Sequence, residues 1–151
     1  MSRLKAMSFQ QVETTGSRLV GAISKLGHIG PKHHGIVIGE DETSREVYVA
    51  ENNHTGYQLV TIECFIEKYT PKGDVLILPN DGEFSDVEVA QRALNEILQG
   101  GKGIYNIVVN NCESFSNRAM YDKDFSKQVL HVGMFVLFAA GAYWYLKNTK
   151  K

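Results

Sequence analysis

The chain has 151 residues, which is enough for one ordinary domain and an appendage, so we expect a single core. Sixteen Lys and Arg residues nearly balance seventeen Asp and Glu residues, and this even charge argues against a nucleic-acid-binding role. The polar N-terminal stretch MSRLKAMSFQQVETTG has no apolar run of the kind a secretory signal needs, so we expect a protein that is not exported.

Five short runs rich in β-branched residues predict the strands of an antiparallel sheet. They are residues 33–39, 46–51, 57–62, 74–78 and 104–109. The loop that joins the first two runs is polar and only six residues long (EDETSR), which favours a hairpin. Such a hairpin would bring His33 close to the far end of the second strand.

Two helices are predicted, one before and one after the last of these strands. Apolar residues recur at helical spacing over residues 85–98, with Ser85 as the cap and Gly100 and Gly101 as the stop. A second helix is predicted to begin near Asn111 and to run through CESFSNRAMY. Helices packed on an antiparallel sheet predict the α+β fold class.

The C-terminal region has the pattern of a membrane anchor. Residues 129–146 (VLHVGMFVLFAAGAYWYL) carry no formal charge if the histidine is neutral, and as a helix they would extend roughly 27 Å. Tyr143, Trp144 and Tyr145 end this run, and the basic sequence KNTKK follows, in the order of an aromatic belt and a basic anchor. We expect a domain over residues 1–127 and a membrane-anchor helix with a basic tail over residues 128–151. A single pass with the domain in the cytoplasm is the expected topology, and a buried core helix is the alternative.

Cys112 is the candidate nucleophile. If Asn111 caps the second helix, Cys112 lies in its first turn, where free N–H groups and the helix dipole stabilise a thiolate. The alternative is that Cys112 is simply a small buried apolar residue, and we expect that structural role for Cys64. Both cysteines are expected to be free thiols. Without a Cys-x-x-Cys pair or a His-x-x-x-His cluster, we expect no metal and no other cofactor.

The general base is expected at the start of a strand. Of the five histidines, only His33 and His34 begin a predicted strand. Neighbouring residues in a strand point to opposite faces of the sheet, so one of the two can face Cys112 and the other cannot. Spacing alone leaves open which of them it is.

The motif HHGIVIG, followed later in the chain by NCESF, resembles the lecithin:retinol acyltransferase family, which includes the H-Ras-like suppressor phospholipases and acyltransferases. The resemblance covers roughly residues 32–121. It implies a circularly permuted papain-like fold, in which the histidine strand precedes the cysteine helix. It also implies that His33 is the base and that Cys112 is the nucleophile that accepts the acyl group.

The third polar residue of the site differs from the family pattern. Where the family often has ValAlaHis on the second strand, this chain has ValAlaGlu, which places Glu51 at that point. A carboxylate can orient an imidazole by accepting its ring N–H. Asn52 and His54 remain alternatives, because the register of the strand is open. Ser114 stands where the family commonly has a histidine, and we interpret it as tolerated.

Together with the apolar C-terminal helix, the resemblance implies a membrane-tethered thiol acyltransferase or phospholipase. It would form an acyl-cysteine intermediate from a membrane lipid ester and pass the acyl group to water or to a small acceptor. Two alternatives stay open on the sequence. One is a papain-like cysteine peptidase or amidase, and the other is a catalytically silent, membrane-tethered binding domain.

Overall fold

An antiparallel sheet with helices on both faces organises the chain. The computed structural model describes residues 7–26, 29–104, 106, 111–124 and 126–148. Within these residues the fold is α+β, with six strands, four α-helices and a short 3₁₀ turn. The strands are β1 (Phe9–Gln10), β2 (Arg18–Ala22), β3 (Lys32–Asp41), β4 (Val47–Asn53), β5 (Gly56–Thr61) and β6 (Leu76–Leu78). The helices are α1 (Ile62–Tyr69), α2 (Asp86–Leu98), α3 (Cys112–Tyr121) and α4 (Lys127–Asn148), and the 3₁₀ turn is Thr70–Lys72.

The long strand β3 lies at the centre of the sheet. The strand order is β5-β4-β3-β2-β6, and β1 pairs with the far end of β3. Strands β3 and β4 are antiparallel neighbours with Gly35 opposite Glu51, so the predicted hairpin is confirmed. Because His33 is two residues before Gly35, its side chain lies on the same face of the sheet as Glu51.

The prediction of elements was incomplete in three places. Strands β1 and β2 and helix α1 were not predicted, and the run 57–62 ends as a strand at Thr61, since α1 begins at the next residue. Most of the predicted strand 104–109 lies outside the described residues. The other predicted strands and helices lie within a few residues of where they were expected.

Each face of the sheet is covered by a different layer of helices. On one face, the apolar side chains of β3 and β4 pack against α2 and α3, through Ile36, Ile38, Ala50, Val89, Ala93 and Phe115. On the other face, Val37 and Val49 pack against Phe65 and Tyr69 of α1. His33 lies on the same face as α1, because it is four residues before Val37 in β3 and every second side chain of a strand points to the same face.

The N-termini of α2 and α3 are capped as their sequences predict. Ser85 and Glu88 form a reciprocal capping box at the start of α2. The side chain of Asn111 accepts a hydrogen bond from the Ser114 backbone N–H at 2.9 Å at the start of α3. Cys112 is therefore the first residue of α3, as expected.

Helix α4 is long and apolar enough to span a membrane. It contains 22 residues, and its most apolar window has a mean hydropathy of 1.6. None of its residues is buried against the domain, so it is not the core helix that was the alternative interpretation. This exposure agrees with the predicted anchor.

Candidate active site

Cys112 lies buried where α3 meets the beginning of β3. Its side chain is 4% exposed, and its Sγ lies 3.7 Å from the carbonyl oxygen of Lys32. The position in the first turn of α3 places the sulfur at the positive end of the helix dipole.

His33 links Cys112 to Glu51. Its Nε2 donates to Glu51 Oε2 at 2.7 Å, and both side chains are buried. The Cys112 side chain lies near the same ring and acts on its pKa. Burial alone would lower the pKa of His33, but the hydrogen bonds and charges of Cys112 and Glu51 outweigh it and raise this pKa to about 9. The ring is therefore an imidazolium near neutral pH when Cys112 is a thiolate.

Glu51 is held as a carboxylate by several donors. Its Oε1 accepts from Asn53 Nδ2 at 2.8 Å, from Gln58 Nε2 at 2.5 Å and from Lys68 Nζ at 3.3 Å. Burial would raise the pKa of Glu51, but the hydrogen bond and charge of His33 outweigh it. With the hydrogen bond from Gln58 and the charge of Lys68, they lower the pKa of Glu51 to about 2. A fixed carboxylate at this position sets the orientation of the imidazole.

The ring of His33 is also held by aromatic packing from α1. It stacks on Tyr69 with a centroid separation of 5.0 Å and an interplanar angle of 19°, and it lies 5.7 Å from Phe65. Glycines in the sheet make room for these rings. A Cβ on Gly21 would lie 2.6 Å from Tyr69 Cβ, and a Cβ on Gly35 would lie 3.1 Å from Phe65. Tyr69 was not among the residues predicted from the sequence, because α1 itself was not predicted.

The other histidine of the motif, His34, lies on the opposite face of the sheet. Its Nε2 lies 3.2 Å from Gln128 Nε2, so the amide donates to the ring. Burial, with the nearby positive charge of Arg18, lowers the pKa of His34 to about 3. A neutral ring of this kind cannot hold a proton taken from Cys112, which leaves His33 as the candidate base.

The two alternatives to Glu51 lie elsewhere. Asn52 is buried, but it follows Glu51 in β4 and so points to the opposite face. His54 is exposed in the turn between β4 and β5. Of the three candidates, Glu51 is the one whose hydrogen bond to His33 is present.

The expectation for Cys64 was wrong. Cys64 is exposed in the first turn of α1, where its backbone N–H donates to Thr61 Oγ1 at 3.3 Å. The buried residues of α1 are Phe65 and Tyr69, four positions apart on one face, and Cys64 lies off that face. Ser114, by contrast, is buried within α3.

The hydrogen bond to Glu51 distinguishes the two ring nitrogens of His33. Because Nε2 of His33 carries the hydrogen that Glu51 accepts, the other ring nitrogen, Nδ1, is the one available to take the Cys112 proton. This order is that of a nucleophile, a base and a group that orients the base. Among the described residues, no group of His, Cys, Asp and Glu side chains is arranged to hold a metal ion.

Comparison of the chain with protein-family models, with curated proteins and with solved structures gives no match. The resemblance to the lecithin:retinol acyltransferase family therefore stays a prediction that rests on the motifs themselves.

Proposed function

We propose that this protein is a membrane-tethered cysteine acyltransferase or phospholipase with a circularly permuted papain-like domain. The observation that carries the proposal is the hydrogen bond of 2.7 Å between His33 and Glu51, with Cys112 near the same ring and its sulfur at the start of a helix. The order along the chain, with the histidine strand before the cysteine helix, agrees with the permuted arrangement that the family resemblance implies.

In the first half of the reaction, the Cys112 thiolate attacks the carbonyl carbon of a lipid ester, and the carbonyl electron pair moves to oxygen. We assign this oxyanion to backbone N–H groups of the first turn of α3 other than that of Ser114, which donates to Asn111 Oδ1, because the start of a helix leaves such groups without helical partners. One donor of this kind contributes about 3 kcal/mol. When the intermediate collapses, the ester C–O bond breaks, and His33 gives its proton to the leaving alkoxide.

In the second half, the thioester on Cys112 is released. Water, an alcohol or an amine loses a proton to His33 and attacks the thioester carbonyl, and the C–S bond breaks. The acyl group leaves as a fatty acid, an ester or an amide, and the imidazolium and thiolate are restored. The chain thus returns to its starting state without a cofactor.

A membrane lipid is the acyl donor that the surroundings of the site favour. The apolar helix α4 begins next to the site, since Gln128 in its first turn bonds to Lys32. The turn between β2 and β3 leads directly into Lys32 and carries the exposed apolar residues Ile23, Leu26 and Ile29. Apolar residues of this kind next to a candidate membrane helix would keep the site at the lipid surface.

The proposal is tested with the purified full-length protein and a phospholipid that carries a labelled acyl chain, with and without an amine acceptor. We expect labelled fatty acid without the amine and labelled amide with it, and an acyl adduct on Cys112 in the intact-protein mass. Cys64→Ser should keep both products, while Cys112→Ala should lose them. Turnover that survives in Cys112→Ala would contradict the proposal.

A further inference from the structure

Gln128, in the first turn of α4, is bound to the residue that precedes the candidate base. Its Oε1 accepts the backbone N–H of Lys32 at 2.8 Å, and its Nε2 donates to the carbonyl oxygen of Lys32 at 3.3 Å. The same Nε2 faces His34 Nε2 at 3.2 Å. One side-chain amide therefore holds both backbone polar groups at the start of β3.

The backbone of Gln128 is bound to the residue that follows the candidate nucleophile. Its N–H donates to Glu113 Oε2 at 3.1 Å, and the hydroxyl of Ser126 donates to the same oxygen at 2.5 Å. Glu113 is buried, so these bonds are shielded from water. The first turn of α4 is thus attached to the start of α3 as well as to the start of β3.

The position of Gln128 matters because Cys112 and His33 come from different elements, a helix and a strand that share no ladder of backbone hydrogen bonds. At this junction, Cys112 Sγ lies 3.7 Å from the Lys32 carbonyl oxygen, which is the oxygen that Gln128 Nε2 also contacts. A loss of these bonds would let the sulfur and the imidazole move apart.

We infer that Gln128 is a positioning residue for the candidate site, through which the first turn of α4 holds the strand of His33 against the helix of Cys112. The inference rests on the proposed function for its catalytic meaning. One part of it does not depend on that function, namely that α4 sets the distance between the Cys112 thiol and the His33 ring.

The test uses the full-length chain in phospholipid vesicles, in a Cys64→Ser background that leaves Cys112 as the one cysteine. The variants are Gln128→Ala, which removes every side-chain bond, and Gln128→Glu, which keeps the shape and the bond from the Lys32 N–H but loses both amide donors. The matched control is Lys127→Ala, because Lys127 is the exposed neighbour in the same turn. Two quantities are measured, namely phospholipid turnover and the rate of Cys112 alkylation by iodoacetamide as a function of pH.

We expect both Gln128 variants to lower kcat, by roughly 100-fold for Gln128→Ala, with KM within about twofold of the parent, because a small misplacement of reacting groups costs about this much. We also expect Cys112 to be alkylated more slowly across the pH range, because the imidazole no longer lies beside the sulfur. Lys127→Ala should change neither. A purely structural role would lower the melting temperature and leave kcat and the pH profile in place, and that result would overturn the inference.

The alkylation profile separates this inference from the proposed function. If the parent protein turns over no lipid but Gln128→Ala still lowers the profile, the positioning role holds and the proposed function fails. If the Gln128 variants share the profile of the parent, the positioning role is overturned whatever the lipid activity is.

Discussion

Replacing Glu51 by glutamine removes the charge beside His33 and keeps the shape of the side chain. On the Oε1 side, a glutamine oxygen can still accept the donors from Asn53, Gln58 and Lys68. On the Oε2 side, an amide nitrogen would replace the oxygen that now accepts from His33 Nε2 at 2.7 Å. The variant therefore tests the His33 contact with little other change.

The expected effect on stability is modest, and the effect on catalysis is large. A buried hydrogen bond to a charged group contributes about 2 kcal/mol to the free energy of unfolding, so the domain should remain folded. An amide donates to His33 Nε2, so the ring hydrogen must move to Nδ1, the nitrogen that should take the Cys112 proton. A wrong tautomer of this kind lowers the rate by roughly 10³-fold or more, or about 4 kcal/mol in the activation free energy.

The assay is single-turnover acylation of Cys112, followed by intact-protein mass, with melting temperature as the measure of folding. Glu46→Gln is the matched control, because Glu46 is an exposed carboxylate just before the same strand. We expect Glu51→Gln to be folded and nearly inactive and Glu46→Gln to match the wild type. A folded Glu51→Gln protein that is acylated within a few-fold of the wild-type rate would refute the role assigned to Glu51.

Three further predictions concern the surroundings of the site. Because the pKa of His33 is raised from 6.5 to about 9, the stability that its charged form contributes is complete below about pH 6.5 and is lost as the pH rises through 9. Denaturant titrations should show that the free energy of unfolding falls by at most about 3 kcal/mol over this range. Gly21→Ala should push Tyr69 away from His33, since the new Cβ would lie 2.6 Å from Tyr69 Cβ, and should cost about 1–3 kcal/mol in urea unfolding. Leu26→Ser with Ile29→Ser should lower turnover of vesicle phospholipid but leave hydrolysis of a water-soluble ester unchanged.

Each of these predictions has a clear contrary result. Stability that is flat between pH 6.5 and 9, or equal in wild type and His33→Ala across that range, would argue against the raised pKa. A Gly21→Ala protein with unchanged stability would show that Tyr69 is not tightly packed there. For the turn between β2 and β3, the control is Ile77→Ser, because Ile77 is exposed on the edge strand β6. An equal loss of vesicle phospholipid turnover in that variant would show that the turn has no special role.

The parts of the fold that could be predicted are those with local signals. Asn111 and Ser85 are cap residues with strong preferences, and each precedes a helix at the expected residue. The short polar loop between β3 and β4 implies a hairpin, and the geometry of a hairpin is enough to bring Glu51 near His33. Local signals in the sequence were thus enough to predict that Glu51 lies near His33 and that Cys112 lies at the start of α3.

The parts that could not be predicted depend on packing between distant elements. Helix α1 has eight residues and follows β5 without a break, so its apolar residues read as a continuation of the strand. The stacking of Tyr69 on His33 depends on how α1 lies on the sheet, and the bond from Gln128 to Lys32 depends on where α4 leaves the domain. No spacing in the sequence encodes either contact.

The central claim is that His33 activates the sulfur of Cys112, and competitive alkylation within one molecule tests it most directly. Wild-type protein is treated with limiting iodoacetamide at about pH 6, and the two cysteines are quantified by peptide mass spectrometry. Exposed Cys64 is the internal reference for a cysteine outside the candidate site. We predict that Cys112 reacts much faster despite its burial and that His33→Ala abolishes the difference. Faster reaction at Cys64, or a Cys112 rate that is unchanged in His33→Ala, would contradict the account.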